Sequence, residues 1–150
     1  GVLARSKGYL GKDCGTMHLA SICNIPVLAV FGGGHRDRFF PPYKKSTSIT
    51  VDVPCRGCDW RCHLSEHICV NGIPKGLVSE IFEKKLSLSD NDFPNLELPA
   101  PKYALDMLKN NPIQDYPEQC HQIKKDRQKM ECRTTVLNWP LRAIQSFLAK

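Results

Sequence analysis

The order of apolar and polar positions predicts alternating strands and helices in the first part of the chain. Tyr9 and Leu10 end a short strand, and residues 16–23 have the apolar spacing of a short helix. Residues 27–31, Val-Leu-Ala-Val-Phe, form an unbroken apolar run before three glycines. Such a run predicts a strand that is buried on both faces, as in a parallel sheet covered by helices.

The pattern continues beyond the glycines. Residues 48–53 alternate polar and apolar side chains with period two, which predicts a half-exposed strand. Residues 74–86 have helical spacing behind a proline, and residues 87–101 are polar and proline-rich, as in a linker. The chain is therefore predicted to be an α/β protein with a parallel sheet, helices on both faces and a C-terminal helical tail. The later predicted helices lie near residues 103–109, 117–133 and 141–149.

Length and composition suit one globular unit. The chain has 150 residues, 41% of them hydrophobic and 24% charged. We divide it into an α/β part, residues 1–98, and a linker with a helical tail, residues 99–150. Because the first methionine is Met17, we expect a fragment of a longer protein.

Charge and hydropathy narrow the expected location and partners. No run of about 18 apolar residues and no cleavable leader is present, so we expect a cytoplasmic protein. The net charge is +6, but there is no dense basic run. We therefore expect no nucleic-acid partner.

The first candidate site is a tight turn just before a helix. Gly15 would let a phosphate approach the backbone, Thr16 could cap the helix or donate its hydroxyl, and His18 could donate to an oxygen anion. Unpaired amides and the helix dipole favour an anion at such a position. The alternative is an ordinary capped helix with a core histidine.

The second candidate site is the glycine run with His35 behind it. Residues after a buried parallel strand lie at the carboxyl edge of the sheet, where open α/β folds bind ligands. His35, Arg36 and Arg38 could then face an anionic substrate. A flexible loop with solvated charges is the alternative.

The third candidate site is a cysteine cluster. Four thiolates within a short segment can close a tetrahedral zinc site, which would be structural because no ligand position stays open. Two disulfides are one alternative, disfavoured in a reducing cytoplasm, and unpaired buried cysteines are another. The four candidate ligands are Cys55, Cys58, Cys62 and Cys69, with Trp60, His63 and His67 between them.

Several ordered segments resemble one enzyme family. Residues 8–20, Gly-Tyr-Leu-Gly-Lys-Asp-Cys-Gly-Thr-Met-His-Leu-Ala, and residues 25–32, Ile-Pro-Val-Leu-Ala-Val-Phe-Gly, resemble the donor-domain signature of family 9 glycosyltransferases, the heptosyltransferase group. Gly-Gly-Gly-His-x-x-Arg-Phe-Phe-Pro and Cys-x2-Cys-x-Trp-x-Cys are similar to a subset with a cysteine-rich insertion. The resemblance covers roughly residues 2–85.

The resemblance implies a specific activity and fold. Members have two Rossmann-like domains in the arrangement called GT-B, and they transfer a sugar, often heptose from an ADP-linked donor, to lipopolysaccharide or a related glycan. Catalysis is metal-independent as a rule, so zinc here would be structural only. The resemblance, with the glycine run, gives these donor-binding positions: Asp13, Cys14, Gly15, Thr16, His18, Gly33, Gly34 and His35.

The resemblance also shows what differs in this chain. The family usually has Ser or Thr where Cys14 stands, so a hydroxyl donor to phosphate is lost. The acceptor domain with its candidate base would precede Gly1, so no catalytic residue is assigned and the isolated chain is expected to be inactive.

Two other functions are compatible with the sequence. One is a zinc-stabilised binding module without catalysis, and the other is an inactive truncated remnant with an exposed sheet edge. The tail offers an apolar helical face that would pack across the domain or contact the inner membrane peripherally. The residues of that face are Leu137, Leu141, Ile144, Phe147 and Leu148.

Overall fold

The chain folds around one parallel β-sheet. The structure is a computed structural model, which describes residues 1–87, residues 93–111 and the strand at residues 136–138. Five strands lie in the sheet in the order of the sequence, and every neighbouring pair is parallel. The strands are β1 Tyr9–Lys12, β2 Val27–Val30, β3 Ser46–Asp52, β4 Asn95–Pro99 and β5 Val136–Asn138.

Helices cover both faces of this sheet, so the predicted α/β class is confirmed. α1 and the residues around α2 pack on one face, called here the α1 face. The later helices pack on the other, the α4 face. No helix of the described residues is long and apolar enough to cross a membrane. The helices are α1 Gly15–Ile22, α2 Arg36–Phe39, α3 Ile68–Asn71, α4 Lys75–Ser87 and α5 Lys102–Asn110, after a 3-10 turn at Leu3–Arg5.

Most elements predicted from the pattern are present. The apolar run at residues 27–31 contains β2, and its strand residues are buried on both faces except for the half-buried Val30. The predicted helices at residues 16–23, 74–86 and 103–109 correspond to α1, α4 and α5. The helices predicted at residues 117–133 and 141–149 lie outside the described residues.

The prediction of a half-exposed strand at residues 48–53 is wrong. β3 is buried along both faces except at Asp52. Its polar side chains are hydrogen-bonded instead of hydrated. Ser46 Oγ lies 3.0 Å from Ser21 Oγ, and Ser48 Oγ lies 3.0 Å from Asn95 Oδ1. Polar alternation therefore marked a polar packing face and not a solvent-facing one.

The predicted linker at residues 87–101 is also wrong, because β4 lies within it. Leu96 and Leu98 of this strand are almost fully buried. Prolines precede this short strand, end it and follow it, and their turn-like signal outweighed two apolar positions. The division at residue 98 stays a prediction, although β4 crosses it and β5 lies beyond it. Leu137 was expected on an apolar helical face of the tail, and this is wrong, because Leu137 lies in β5.

The register brings the carboxyl ends of β1 and β2 side by side. Lys12 pairs with Val30, and the Asp13 N–H donates to the Val30 carbonyl at 3.3 Å. The Phe31 N–H donates to the Ile49 carbonyl at 2.9 Å. The turn after β1 and the glycine run after β2 therefore leave the same edge of the sheet.

Candidate functional site

A tight turn follows β1 and leads directly into α1. Cys14 has an extended backbone, and the helix begins at Gly15, so the predicted order of turn and helix is confirmed. Gly15 and Thr16 are exposed. The first turn of α1 contains no acidic side chain. A bound anion at this end would therefore meet the positive end of the helix dipole, and no acidic side chain within the turn itself would repel it.

Cys14 precedes this helix as a thiol with altered acidity. The Tyr9 hydroxyl lies 3.3 Å from Cys14 Sγ, and its hydrogen bond lowers the pKa of the thiol, with smaller contributions from the backbone N–H groups of Met17 and Thr16. Burial, with the same hydrogen bond, raises the pKa of Tyr9 to about 12. Tyr9 therefore stays protonated at neutral pH, and Cys14 has more thiolate character than an ordinary cysteine.

Asp13 is the point where the two loops meet. A Cβ added at Gly34 would collide with Asp13 Oδ2, so the carboxylate lies directly against the glycine run. Burial raises the pKa of Asp13, while His18 and His35 oppose the rise electrostatically. Four predicted site residues, Asp13 and His18 from the turn and α1 and Gly34 and His35 from the glycine run, thus come together at the carboxyl edge. Their role as a donor site stays a prediction.

Trp60 covers the glycine run. A Cβ at Gly33 would lie 3.0 Å from the backbone nitrogen of Trp60, and one at Gly32 would lie 2.9 Å from the Trp60 ring and 2.5 Å from Val70. Only glycine fits this close approach of two backbones. The cysteine-rich segment thus lies against part of the run, a contact that the sequence does not predict.

His35 faces the cysteine-rich segment as well. Its Nε2 lies 2.9 Å from Asp59 Oδ1, and a Cβ at Gly57 would lie 3.0 Å from its Nδ1. The imidazole is 9% exposed, whereas the Asp59 side chain is 56% exposed. His35 therefore links the glycine run to the segment that covers it.

The side chains of the two arginines after His35 differ in burial. Arg36 is buried, and its Nε donates to Ser48 Oγ at 2.6 Å, so the expectation that it faces a substrate is wrong. A buried guanidinium needs hydrogen-bond acceptors, and β3 supplies one. Arg38 is exposed and lies over the Phe39 ring at 5.0 Å.

Arg56 ties the cysteine-rich segment to the sheet. Its Nη1 donates to Glu97 Oε1 of β4 and, at 3.3 Å, to Thr50 Oγ1 of β3. Both charged side chains are 11% exposed. Arg56 Nε is the buried side-chain polar atom without a hydrogen-bond partner in the described part of the chain. The beginning of the segment is therefore fixed by a largely desolvated ion pair.

The backbone of this segment turns sharply at three positions. Gly57, Asp59 and Trp60 have φ values of 81°, 53° and 62°. The left-handed region costs a residue with a Cβ about 1–2 kcal/mol. Asp59 and Trp60 are therefore held in place by contacts, of which the His35 pair and the glycine run are two.

The four predicted metal ligands lie in the same segment. Cys55 and Cys69 are buried, and Cys58 and Cys62 are half-buried. Burial raises the pKa of both buried thiols to about 11, and repulsion from neighbouring cysteines adds to the rise. Within residues 1–87 and 93–111 no three Cys, His, Asp or Glu side chains are spaced to hold a metal ion as they lie. Zinc binding therefore stays a prediction.

Two groups of residues around the candidate site were not predicted from the sequence. Asp59 and Trp60 reach the glycine run only because the chain folds back over it, and the sequence pattern does not encode that contact. Arg56 and Glu97 are 41 positions apart. A cysteine-rich segment directly after a predicted strand was the one sequence signal that something lies over this edge.

Comparison with known proteins does not assign a family. No protein-family model matches the chain, and no curated protein or solved structure is significantly similar to it. A function is therefore proposed from the site itself and from the resemblance of its motifs.

Proposed function

We propose that the chain is the donor-binding part of a glycosyltransferase. The complete enzyme would transfer a sugar, such as heptose from an ADP-linked donor, to lipopolysaccharide or another cell-surface glycan. The observation that carries this proposal is the position of Asp13, which lies beside the first turn of α1 and against Gly34 at the carboxyl edge of a parallel sheet. Ligands of open α/β folds bind at such an edge. The resemblance to family 9 covers the same residues.

The first turn of α1 suits the diphosphate of a nucleotide sugar. A Cβ at Gly15 would meet no protein atom within 4 Å, so the space above this residue is open to a ligand. Thr16 is exposed beside it. Amides and the helix dipole at this end stabilise negative charge. We therefore place the phosphates here.

Asp13 suits the sugar and not the phosphates. A carboxylate repels a diphosphate, but it accepts hydrogen bonds from sugar hydroxyls. His18 and His35 lie close enough to Asp13 to affect its pKa. The imidazole of His18 can donate to a hydroxyl or to a phosphate oxygen. The diphosphate and the sugar of a nucleotide sugar would thus meet different chemical groups within a few residues of each other.

The mechanism that follows is displacement at the anomeric carbon. Negative charge builds on the leaving diphosphate, and the amides of α1 together with His18 would stabilise it. Binding of the phosphates would also orient the sugar for attack. None of the described residues is assigned as the general base for the acceptor hydroxyl. We therefore propose that the isolated chain binds the donor without transferring the sugar.

The first test is calorimetric titration of the chain with ADP-sugars and UDP-sugars. Gly15→Ala should weaken binding about tenfold or more, because its methyl group would occupy the space of a phosphate, not that of a protein atom. Gly76→Ala is the matched control, since a Cβ there also meets no protein atom within 4 Å but lies in α4. Equal affinities for the two variants would contradict the proposed phosphate position.

A second pair of variants tests the histidine. His18→Ala should weaken donor binding, whereas His63→Ala, which removes an exposed imidazole of the cysteine-rich segment, should not. If the unaltered chain binds metal but no nucleotide sugar, a metal-stabilised binding module without catalysis would replace this proposal. Sugar transfer by the isolated chain would contradict the proposal that it binds the donor but does not catalyse transfer.

A further inference from the structure

Trp60 presents a large exposed aromatic surface at the carboxyl edge of the sheet. Indole carbon atoms lie 2.9 Å from a Cβ added at Gly32 and 3.1 Å from one added at Gly33, so the ring lies along the glycine run. The His67 ring approaches the indole with 5.8 Å between ring centres and an angle of 62° between planes. Trp60 is nevertheless 47% exposed. A ligand at this edge would therefore meet an open aromatic ring.

The indole also brings a hydrogen-bond donor close to the Asp13 carboxylate. A Cβ added at Gly34 would collide with Asp13 Oδ2 and would lie 3.9 Å from Trp60 Nε1. The two polar atoms thus lie within 4 Å of one point beside the glycine run. Indole nitrogen only donates hydrogen bonds, and an ionised carboxylate only accepts them. A donor and an acceptor therefore stand next to the exposed ring.

The position of Trp60 is determined by the fold and does not require a ligand. Asp59 and Trp60 have left-handed φ values of 53° and 62°. Side chains with a Cβ disfavour this region, and residues held in it are concentrated at functional sites. The pair between Asp59 and His35 and the approach of the Trp60 backbone to Gly33 support the conformation. The ring is therefore held over the glycine run in advance of binding.

These groups suit a carbohydrate. Binding sites for small molecules combine an apolar or aromatic surface with a few polar groups that fix orientation. The C–H face of a sugar ring packs on an aromatic ring, and neighbouring hydroxyls can donate one hydrogen bond and accept another. An exposed indole with Asp13 Oδ2 and Trp60 Nε1 beside it offers all three contacts.

We propose that the Trp60 indole is the stacking surface for the transferred sugar of the donor, with Asp13 and Trp60 Nε1 binding neighbouring hydroxyls. This inference rests on the proposed function and adds a residue that selects for the sugar. Asp13 directly precedes the turn that leads into α1, where the phosphates are placed, so a sugar bonded to the second phosphate is within reach of Asp13. The cysteine-rich segment then contributes a wall of the donor site.

The first experiment separates the sugar from the rest of the nucleotide. Calorimetry would compare ADP with ADP-glucose and UDP with UDP-glucose on the full chain. Trp60→Leu should weaken binding of the nucleotide sugar about tenfold and leave binding of the diphosphate nearly unchanged, because only the sugar contacts the ring. Trp60→Phe, which keeps an aromatic ring but lacks Nε1, should lose less affinity. Equal losses for the diphosphate and the nucleotide sugar would overturn the proposal in favour of stacking by the base or the ribose.

A control variant tests whether any exposed aromatic ring has this effect. Tyr43 is 49% exposed and precedes β3, at the amino edge of the sheet, so Tyr43→Leu should bind each ligand like the unaltered chain. If the unaltered chain binds none of the four ligands, the proposed function and this inference both fail. If it binds them and Trp60→Leu keeps full affinity for the nucleotide sugar, only this inference fails.

A fluorescence measurement leaves Trp60 itself in place, so its outcome does not depend on the folding of a Trp60 variant. The chain has two tryptophans, Trp60 and Trp139, and Trp139→Phe makes Trp60 the single fluorescent reporter. Saturating nucleotide sugar should protect Trp60 from quenching by acrylamide, because a stacked sugar covers the exposed ring. The matching diphosphate should not protect it. Equal protection by both ligands, or none by the nucleotide sugar at saturation, would contradict stacking of the sugar on Trp60.

Discussion

The two faces of the sheet are built from different interactions. The α4 face is mainly apolar, with side chains of the strands packed against the later helices. The α1 face has a smaller apolar cluster around β2, and its part over β3 and β4 is polar. That polar part consists of Ser46, Ser48, Thr50, Asn95 and Glu97, with Arg36 and Arg56 lying over it.

The difference separates stability from the placement of loops. Apolar contacts are not directional, so the α4 face can hold the fold without specifying where a loop goes. Buried polar groups need partners in fixed directions. Arg36 follows the glycine run, which lies against Asp13, and Arg56 begins the cysteine-rich segment, which lies over that run. The polar part therefore fixes both loops. The candidate site thus rests on the polar part of the sheet.

The largest single effect is expected on the apolar face. Ile81 of α4 is fully buried in its cluster. Ile81→Ala should lower the free energy of unfolding by roughly 3–5 kcal/mol, because it removes contacts and leaves a cavity. Urea denaturation would measure this as a lower midpoint at an unchanged slope. The exposed Ile22 of α1 is the matched control, and Ile22→Ala should cost far less.

The next largest effect is expected at the buried ion pair. Glu97→Leu should destabilise the fold by about 2–3 kcal/mol, because it leaves the Arg56 guanidinium without its carboxylate. Arg56→Met combined with Glu97→Leu should recover much of that loss. The double-mutant cycle should therefore show strong coupling. Additive effects of the two substitutions would mean that the pair contributes no specific interaction.

Lys85 is the exception on the apolar face, and its replacement should stabilise the protein. Lys85 as a whole is 2% exposed. Its Nζ donates to Thr47 Oγ1 at 2.9 Å and lies 5.6 Å from the centre of the Phe93 ring. Burial lowers the pKa of Lys85 to about 8. Lys85→Met should raise the free energy of unfolding at pH 7 by roughly 1–2 kcal/mol, once the lost hydrogen bond is deducted.

The pH dependence of this effect has a definite sign. The folded pKa of Lys85, about 8, lies below its ordinary 10.5. The unfolded chain therefore binds more protons between these values, and the unaltered protein gains stability as pH rises through them. Thermal unfolding of both proteins should show the advantage of Lys85→Met shrinking from pH 8 toward pH 10.5. An advantage that stays constant would disprove a buried charge as its cause.

The smallest effect is expected within the polar part of the sheet. Ser48→Ala should cost about 1 kcal/mol, because it removes an acceptor of Arg36 Nε and a donor to Asn95. Arg36 would then lose one anchor, so the glycine run should become more accessible. Hydrogen exchange of residues 32–34 would detect this as faster exchange in the variant. Ser79→Ala, at an exposed position of α4, is the control.

The fold was predictable where local patterns and burial agree. The apolar run predicts a buried strand, and β2 is one. The helical spacing at α1 and α4 predicts helices, and both are present. The turn before α1 was predictable as well, because a glycine that follows Asp13 and Cys14 and precedes a helical pattern is typical of a tight turn. β4 was not, since two leucines among prolines are too short a signal.

The candidate site was predictable only in part. Asp13, His18, Gly34 and His35 were chosen from the sequence, and the fold brings them together. The direction of Arg36 was not predictable, because its acceptor Ser48 lies on a strand that was expected to face solvent. Exposure and hydrogen bonding give the same alternating sequence pattern, so periodicity alone cannot distinguish them.

By itself the sequence determined the parallel-strand core, the first helices and the identity of the chemical groups near Asp13. These depend on period, turn residues and short-range order, which are local properties of the chain. Tertiary structure alone decided that Trp60 lies on Gly33, that Asp59 pairs with His35 and that Arg56 reaches Glu97. Such contacts join residues that are distant in sequence, and their geometry depends on how whole segments pack together.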